Sequence, residues 1–251
     1  MHKIIHILLF AFLILNACSS DTGDVTKTDL EHLIKDAISG DHESNGKLQG
    51  LISSKHLGQN DFNQLFIDEL KYGDKIYFSV ILEYPDPSLN LFAIYDNKLN
   101  FYLLDKSLNG YLNSEWIENG QKKYVLLKEQ FLTKDVLSIE RASIYEVGDK
   151  TAWLIYRSPS RFVKDNNLAY QRVESINDDY IVTKITGTGT VMGEIKIDTF
   201  FYYASSKKYL SNNKLFENYV NQEINNFMWI NTKPQLTDDL SKSTTDTTKK
   251  N

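Results

Sequence analysis

The stretch Lys75-Ile-Tyr-Phe-Ser-Val-Ile-Leu-Glu-Tyr84 decides the fold of this chain. Its apolar residues recur at every second position, at Ile76, Phe78, Val80 and Leu82. Successive side chains of a β-strand point to opposite faces, so this period of two predicts a strand. The intervening positions include charged and hydroxyl side chains, which predicts that the two faces of the strand are unequal.

Comparable stretches follow this strand to about residue 204, and short turn signals separate them. The signals are Asp96-Asn97, Asn109-Gly110, Asn119-Gly120, Gly148-Asp149 and Asn177-Asp178-Asp179. These residue types accept left-handed turn geometry, so consecutive strands are expected to pair as hairpins. The pattern predicts nine or ten strands in a large antiparallel meander sheet that is curled, closed into a barrel or folded into a sandwich.

Helical spacing occurs on both sides of the strand-rich part. Residues 26–39 carry apolar residues at helical spacing, with Thr28 or Asp29 as the cap, and residues 61–70 predict a second short helix. A final helix is expected at 213–229, lying on the sheet. The predicted class is therefore α+β and mainly β, with N-terminal helices and one C-terminal helix.

Composition limits the classes of function. The 251 residues carry a formal net charge of −5, so the chain lacks the basic signature of a nucleic-acid-binding protein. No Pro-rich or Gly/Ser-rich linker divides residues 26–234, which predicts one β-rich globular domain. Residues 235–251 are rich in Ser, Thr, Asp and Lys, and we expect them to form a disordered polar tail.

The start of the chain follows the plan of a secretory signal peptide. Lys3 supplies a positive charge, residues 4–15 are apolar, and Ala17 is a small residue before a cleavage point. The apolar run is shorter than the ~20 residues of a membrane-spanning helix. Cleavage after residue 17 leaves Cys18, the only cysteine, as the first residue, and an ordinary secreted protein gives this thiol no partner within its chain.

The sequence Leu15-Asn16-Ala17-Cys18 resembles the lipobox of bacterial lipoproteins. This resemblance implies that Cys18 carries acyl chains such as palmitate, that residues 18–25 form a flexible tether, and that the protein is anchored in the cell envelope, at the outer membrane. Asp21 and Asp24 also resemble the surface-export signal of lipoproteins in the Bacteroidota. The periplasmic and surface sides of the outer membrane both remain open.

The mature sequence has no recognisable catalytic motif, and no catalytic residue is assigned. Its three histidines, His32, His42 and His56, precede the predicted sheet, and we expect them to be solvated. Gly187-Thr-Gly-Thr-Val-Met-Gly193 contains the glycines of a phosphate loop, but the residues after it alternate like a strand. A glycine-rich bend between two strands is therefore expected.

One segment resembles the first half of a calcium-binding loop. Its candidate oxygen ligands are Asp105, Ser107, Asn109, Asn113 and Glu115. Glycine occupies the sixth place, as in such loops, whereas Trp116 takes the twelfth place, where a carboxylate belongs. A hairpin turn at Asn109-Gly110 explains the same residues and is the preferred interpretation. No other cofactor is expected.

Other candidate residues are dispersed. A hydrolytic carboxylate pair has the possible members Glu83, Asp86, Glu115, Glu118 and Glu140, and none is preferred because the relevant separation is spatial. Aromatic residues that suit either a ligand surface or the core are Trp116, Trp153, Trp229, Phe200-Phe201 and Tyr202-Tyr203. Core packing is the preferred interpretation for each of these.

Three functional classes follow. The first is a non-enzymatic, membrane-anchored lipoprotein of the envelope whose sheet binds an apolar ligand, a glycan or a partner protein. The second is a structural subunit of an outer-membrane assembly, and the third is a carboxylate-dependent hydrolase of envelope glycans or lipids. The permanent anchor, the abundant aromatic residues and the lack of catalytic motifs favour the first class.

Overall fold

The computed structural model describes residues 23–59, 61–133, 137–164, 167–187 and 195–232. Its strands form two antiparallel sheets, one of four strands (β1–β4) and one of eight (β5–β12), in which sequence neighbours pair. The strands are β1 Gln64–Tyr72, β2 Lys75–Glu83, β3 Leu91–Asp96, β4 Phe101–Asp105, β5 Tyr111–Asn119, β6 Lys122–Thr133, β7 Leu137–Val147, β8 Ala152–Lys164, β9 Asn167–Ile176, β10 Tyr180–Gly187, β11 Lys196–Tyr203 and β12 Lys208–Leu210. The helices are α1 Lys27–Ile38, α2 His42–Lys47 and α3 Leu215–Thr232, with a 3-10 turn at Pro87–Leu89. The prediction of a mainly β fold with antiparallel meander pairing is confirmed.

The predicted helix at 61–70 is wrong, because this segment forms the edge strand β1, paired antiparallel to β2. Ile67 packs in the core beneath the helices, whereas Leu70 packs in the core between the two sheets. Apolar residues are thus needed on both faces of β1, and the resulting spacing imitates that of a helix. A short helix, α2, instead occurs at His42–Lys47.

The four-stranded sheet is the middle layer of the molecule. On one face, Phe78 and Val80 of β2 pack against Leu30 and Ile34 of α1. On the other face, Ile81 packs with residues of the eight-stranded sheet. Both faces of β2 are therefore buried from Tyr77 to Glu83, and the expected difference between its faces is not found.

Helix α1 confirms the prediction for 26–39, although its cap lies at Thr26. The Thr26 hydroxyl accepts from the Asp29 backbone N–H, and the Asp29 carboxylate accepts from the Thr26 backbone N–H at 2.9 Å. This reciprocal capping box satisfies donors that the first helical turn leaves free. Lys35 and Glu31 form an ion pair on the exposed face of the helix.

The eight-stranded sheet is strongly curled and remains open. Residues of β6–β8, such as Tyr124 and Tyr156, share a core with Ile181, Phe200 and Tyr209 of β10–β12. Strands β9–β12 therefore fold back over β6–β8, helped by two register shifts between β7 and β8. The C-terminal helix α3 lies on this sheet as predicted, where Phe216 and Val220 pack against residues including Phe162 and Ala169.

Four of the five predicted turn signals join paired strands. The fifth, Asn109-Gly110, connects β4 of one sheet to β5 of the other and is not a hairpin. Strands β10 and β11 flank the glycine-rich segment 187–193, as expected, but most of that segment lies outside the described residues. The signal peptide, Cys18 and the polar tail also lie outside them.

Candidate functional site

Asp105, the first candidate calcium ligand, ends β4 and is engaged by protein groups. Its Oδ2 accepts hydrogen bonds from the Tyr145 hydroxyl at 2.6 Å and from Arg157 Nη2 at 2.9 Å. Its Oδ1 accepts from the backbone N–H and the hydroxyl of Ser107. Burial alone raises the pKa of the Asp105 carboxyl, but the bonds from Ser107 and Tyr145 and the charge of Arg157 outweigh it and leave that pKa lowered.

A second ion pair, between Glu129 and Arg141, holds the other end of the connection between β4 and β5. The backbone N–H of Asn109 donates to Glu129 Oε1 at 2.6 Å, and Arg141 donates to Glu129 Oε2. Glu129 is almost fully buried, and the ion pair with Arg141 offsets the cost of removing its charge from water. The described geometry therefore gives residues 105–110 a role in joining the two sheets.

The remaining calcium candidates lie on β5. Asn113 and Glu115 are exposed there, and Glu115 forms an ion pair with Lys128 at 3.4 Å. Within the described residues, no cluster of three His, Cys, Asp or Glu side chains has the arrangement of a metal site.

The two ends of the curled sheet approach each other at the β5–β6 and β9–β10 turns. Asn119 Nδ2 donates to the backbone carbonyl of Ile176 at 2.6 Å, and Lys122 forms an ion pair with Asp178. Below this contact the sheet encloses an open groove of approximately 920 Å³. That volume lies within the range of small-molecule and cofactor sites, which is about 300–1,000 Å³.

Apolar and aromatic side chains form much of the groove surface, and charged groups are distributed among them. The apolar and aromatic lining residues are Ile117, Leu126, Ala142, Tyr156, Leu168, Tyr170, Val173 and Ile176. The charged ones are Glu115, Glu118, Glu140 and Glu174, with Lys128, Arg161 and Arg172. The lining thus combines an apolar surface with near balance between the two signs of charge.

The groove is bordered by strand edges. Residues 170–176 of β9 all line it, although neighbouring side chains in a strand point to opposite faces. Consecutive residues of one strand line the same cavity when the cavity runs along the edge of that strand. The register agrees, because within the described chain β9 pairs with β8 only over residues 167–170, whereas its pairing with β10 extends from 169 to 176.

Gln171 provides the most unusual polar group of the groove wall. Its side chain is 5% exposed. Its Nε2 donates to the Tyr156 hydroxyl at 2.8 Å, to Ser158 Oγ at 3.1 Å and to the Pro159 carbonyl at 3.4 Å. A carbonyl accepts only, which fixes the orientation of the amide. The other atom, Oε1, is buried and has no hydrogen-bond partner among the described residues.

The groove gathers three of the five carboxylates proposed as hydrolytic candidates. Glu140 accepts a hydrogen bond from Ser160 at 2.8 Å, and Glu115 and Glu118 lie on β5. Glu83 and Asp86 lie elsewhere, beside a smaller cavity and at the 3-10 turn. Burial raises the pKa of the Glu83 carboxyl, and a hydrogen bond from the Leu112 backbone opposes this only in part.

The histidines and the adjacent aromatic residues lie partly at the surface and partly in the core. His32 and His42 are exposed as expected, but His56 is buried, with Nδ1 at 2.8 Å from Ser53 Oγ and Nε2 at 3.0 Å from the Leu89 carbonyl. Among the adjacent aromatic residues, Phe200 is buried in the core as expected. The expected core role is wrong for Phe201, Tyr202 and Tyr203, which are 51%, 39% and 38% exposed.

Two of the three tryptophans have the expected core role. Trp116 packs against the core between the two sheets, and Trp153 packs against the core of the curled sheet, with Lys207 Nζ 5.7 Å from its ring centroid. The side chain of Trp229 lies outside the described residues.

Gln171 and the β9 edge were missed in the sequence. The segment Tyr170-Gln-Arg-Val-Glu-Ser-Ile176 contains no catalytic or binding motif. The only available signal is a polar residue in a strand whose positions two before and two after it, Ala169 and Val173, are apolar.

An apolar surface lies on the outer face of β10–β12. Tyr180 pairs across the sheet with Phe201, and Phe201 pairs with Leu210, so these exposed side chains are direct neighbours. Ile197, further along β11, is 55% exposed. We call Tyr180, Ile197, Phe201 and Leu210 the outer patch.

Among the helices in the described part of the chain, none combines the length and apolar character that crossing a bilayer requires. No protein-family model, curated protein sequence or solved structure matches this chain.

Proposed function

We propose that this chain is a non-enzymatic binding module of the bacterial cell envelope, held at the outer membrane by acyl chains on Cys18. One observation carries the binding role: an open groove of approximately 920 Å³ lined by Gln171, whose buried Oε1 has no hydrogen-bond partner within the described residues. A buried acceptor without a donor is costly, and a ligand whose N–H or O–H group reaches it removes that cost.

The anchor is supported by the resemblance of Leu15-Asn16-Ala17-Cys18 to a lipobox. Val25 follows seven residues later and donates its backbone N–H to Asn97 in the β3–β4 turn. Fully extended, this tether spans at most about 25 Å. In the proposed arrangement the side of the molecule that carries helices α1 and α2 and the four-stranded sheet lies nearest the membrane.

Native mass spectrometry of the full mature chain, purified gently in detergent from its own envelope, tests the binding role. We expect an additional mass that is retained on transfer and lost on mild activation. An Ile117→Trp variant fills the groove from the edge strand β5 and is expected to lose this mass. Ile197→Trp, the same change on the outer face of β11, is the matched control and is expected to keep it. Equal occupancy in both variants, or a chain that carries no additional mass, contradicts a ligand-binding groove.

The outer patch favours a second candidate, a structural subunit of an outer-membrane assembly. Large apolar side chains exposed side by side on three strands are typical of contact surfaces. Crosslinking in whole cells tests this role: Phe201→Ser is expected to abolish a crosslinked complex of defined mass, whereas Phe66→Ser, at an exposed position of β1, leaves it unchanged. A complex unaffected by Phe201→Ser rules out the outer patch as the contact.

A further inference from the structure

We propose that the groove takes an extended polypeptide segment of a partner protein, which adds as a strand to the free edge of β9. This inference rests on the proposed binding function and specifies its ligand. The proposed edge comprises residues 171–176, which pair with β10 on one side and with no strand of the described chain on the other.

The backbone of β9 supplies the first argument. A strand edge presents alternate N–H and C=O groups outward, and an extended peptide satisfies them in the same pattern as a neighbouring strand. At about 3.3 Å per residue, six edge residues accommodate about 20 Å of extended chain. The second rim of the groove is also a strand edge, because β5 pairs only with β6 in the part of the chain described.

Gln171 supplies the second, independent argument. Its buried Oε1 accepts hydrogen bonds only, and Nε2 is already committed to Tyr156, Ser158 and Pro159. A purely apolar ligand covers this oxygen without giving it a donor. A polypeptide brings main-chain N–H groups at regular spacing, so a ligand that pairs with the strand edge also places donors beside Gln171, where one that reaches Oε1 satisfies it.

The charges of the groove agree with a ligand held by its main chain. Lys128 is paired with Glu115, and Arg172 lies over the Tyr170 ring at 5.2 Å. The groove is lined by four carboxylates and three cations, so no strongly charged ligand is selected. Specificity then comes from apolar side chains of the peptide that enter the groove between Ile117 and Val173.

The test uses the full mature chain in detergent micelles and a displayed library of random 12-residue peptides. Two exposed serines provide matched variants: Ser175 lines the groove on β9, and Ser206 lies in the β11–β12 turn. Each is changed to cysteine and labelled with a bulky maleimide, and any label on Cys18 is common to both. Peptides bound by the wild type are expected to be lost by labelled Ser175→Cys and kept by labelled Ser206→Cys.

A selected peptide is then methylated at one backbone nitrogen at a time. Strand addition predicts a period of two, in which alternate methylations weaken binding about tenfold or more and the intervening ones do not. Amide hydrogen exchange on β9 is expected to show the same period: the rapidly exchanging amides within 171–176 become protected when the peptide binds.

Three results overturn the inference: no peptide that depends on Ser175, methylation effects without a period of two, or protection that omits 171–176. The proposed function fails separately. If the additional mass in native mass spectrometry disappears in Ile117→Trp but no peptide protects β9, the groove binds another class of ligand. If that mass is also absent, both proposals fail.

Discussion

Replacing Asp105 with alanine tests whether an ion pair joins the two sheets. The Asp105 side chain is 11% exposed and Arg157 is 26% exposed, so the pair is largely buried. Removing one member of a buried pair costs about 3–5 kcal/mol, because the remaining charge is left without compensation. Arg157 keeps some access to water, and we therefore expect the lower end, about 3 kcal/mol.

Urea unfolding of the full chain measures this loss. With a denaturant dependence of about 3 kcal/mol per molar, the midpoint falls by about 1 M. The double variant Asp105→Ala/Arg157→Met removes both charges and is expected to be more stable than Asp105→Ala alone. Asp36→Ala, at an exposed position of α1, is the control and shifts stability by less than about 0.5 kcal/mol.

The same assay separates this role from calcium binding. Because Arg157 and Tyr145 hold Asp105 Oδ2, we expect about 1 mM calcium to leave the wild-type midpoint unchanged. A calcium-dependent rise that Asp105→Ala abolishes refutes the structural role and restores the calcium loop. A loss for Asp105→Ala no larger than that for Asp36→Ala refutes the ion pair as the link between the sheets.

Three further predictions concern stability. A Cβ at Gly110 meets the Gln130 carbonyl oxygen at 2.5 Å, so Gly110→Ala is expected to cost about 1–3 kcal/mol in urea unfolding, whereas Gly46→Ala in α2 meets no atom and is expected to stabilise. Burial raises the pKa of the Glu83 carboxyl, so the wild type loses stability as the pH rises above 4.5, the ordinary pKa of a glutamate. Glu83→Gln is therefore expected to raise the urea midpoint at about pH 8 and not at about pH 4. Equal effects at both pH values would contradict the raised pKa. Burial lowers the pKa of the His56 imidazole, so its contribution to the free energy of unfolding is complete above pH 6.5, the ordinary pKa of histidine, and is lost as the pH falls below that value. In NMR spectra, a His56 ring signal that titrates at pH 6.5 or above would contradict this.

Local alternation was sufficient to predict most strands and the antiparallel class. It was insufficient at β1, because Ile67 and Leu70 serve different cores on opposite faces and the period of two is lost. Gly110 illustrates a related limit. Its dipeptide Asn109-Gly110 indicated a left-handed turn, whereas the glycine is required because β6 passes too close for a side chain.

The groove could not be predicted, because it is formed by features that a single sequence does not show. Its shape follows from the curl of the eight-stranded sheet and from register shifts, including the one in β9–β10 between Val182 and Thr183. The candidate carboxylates Glu115 and Glu118 on β5 and Glu140 on β7 line one groove because β6 pairs with both of these strands, a register that the sequence alone does not give. Gln171 belongs to no motif, because its significance lies in an amide oxygen that finds no donor among the residues that the structure describes.

The connectivity of the sheets also bears on how quickly the chain folds. In the described part of the chain, each strand hydrogen-bonds only to strands adjacent in sequence, in the order β1–β4 and then β5–β12. Forming each pair therefore closes a short loop, which keeps the entropic barrier of every step small. A chain that emerges from its amino end can complete the four-stranded sheet before β5 appears. The folding transition state is then expected to be built from successive hairpins, with the segment 105–110 as the point at which the second sheet starts to assemble on the first.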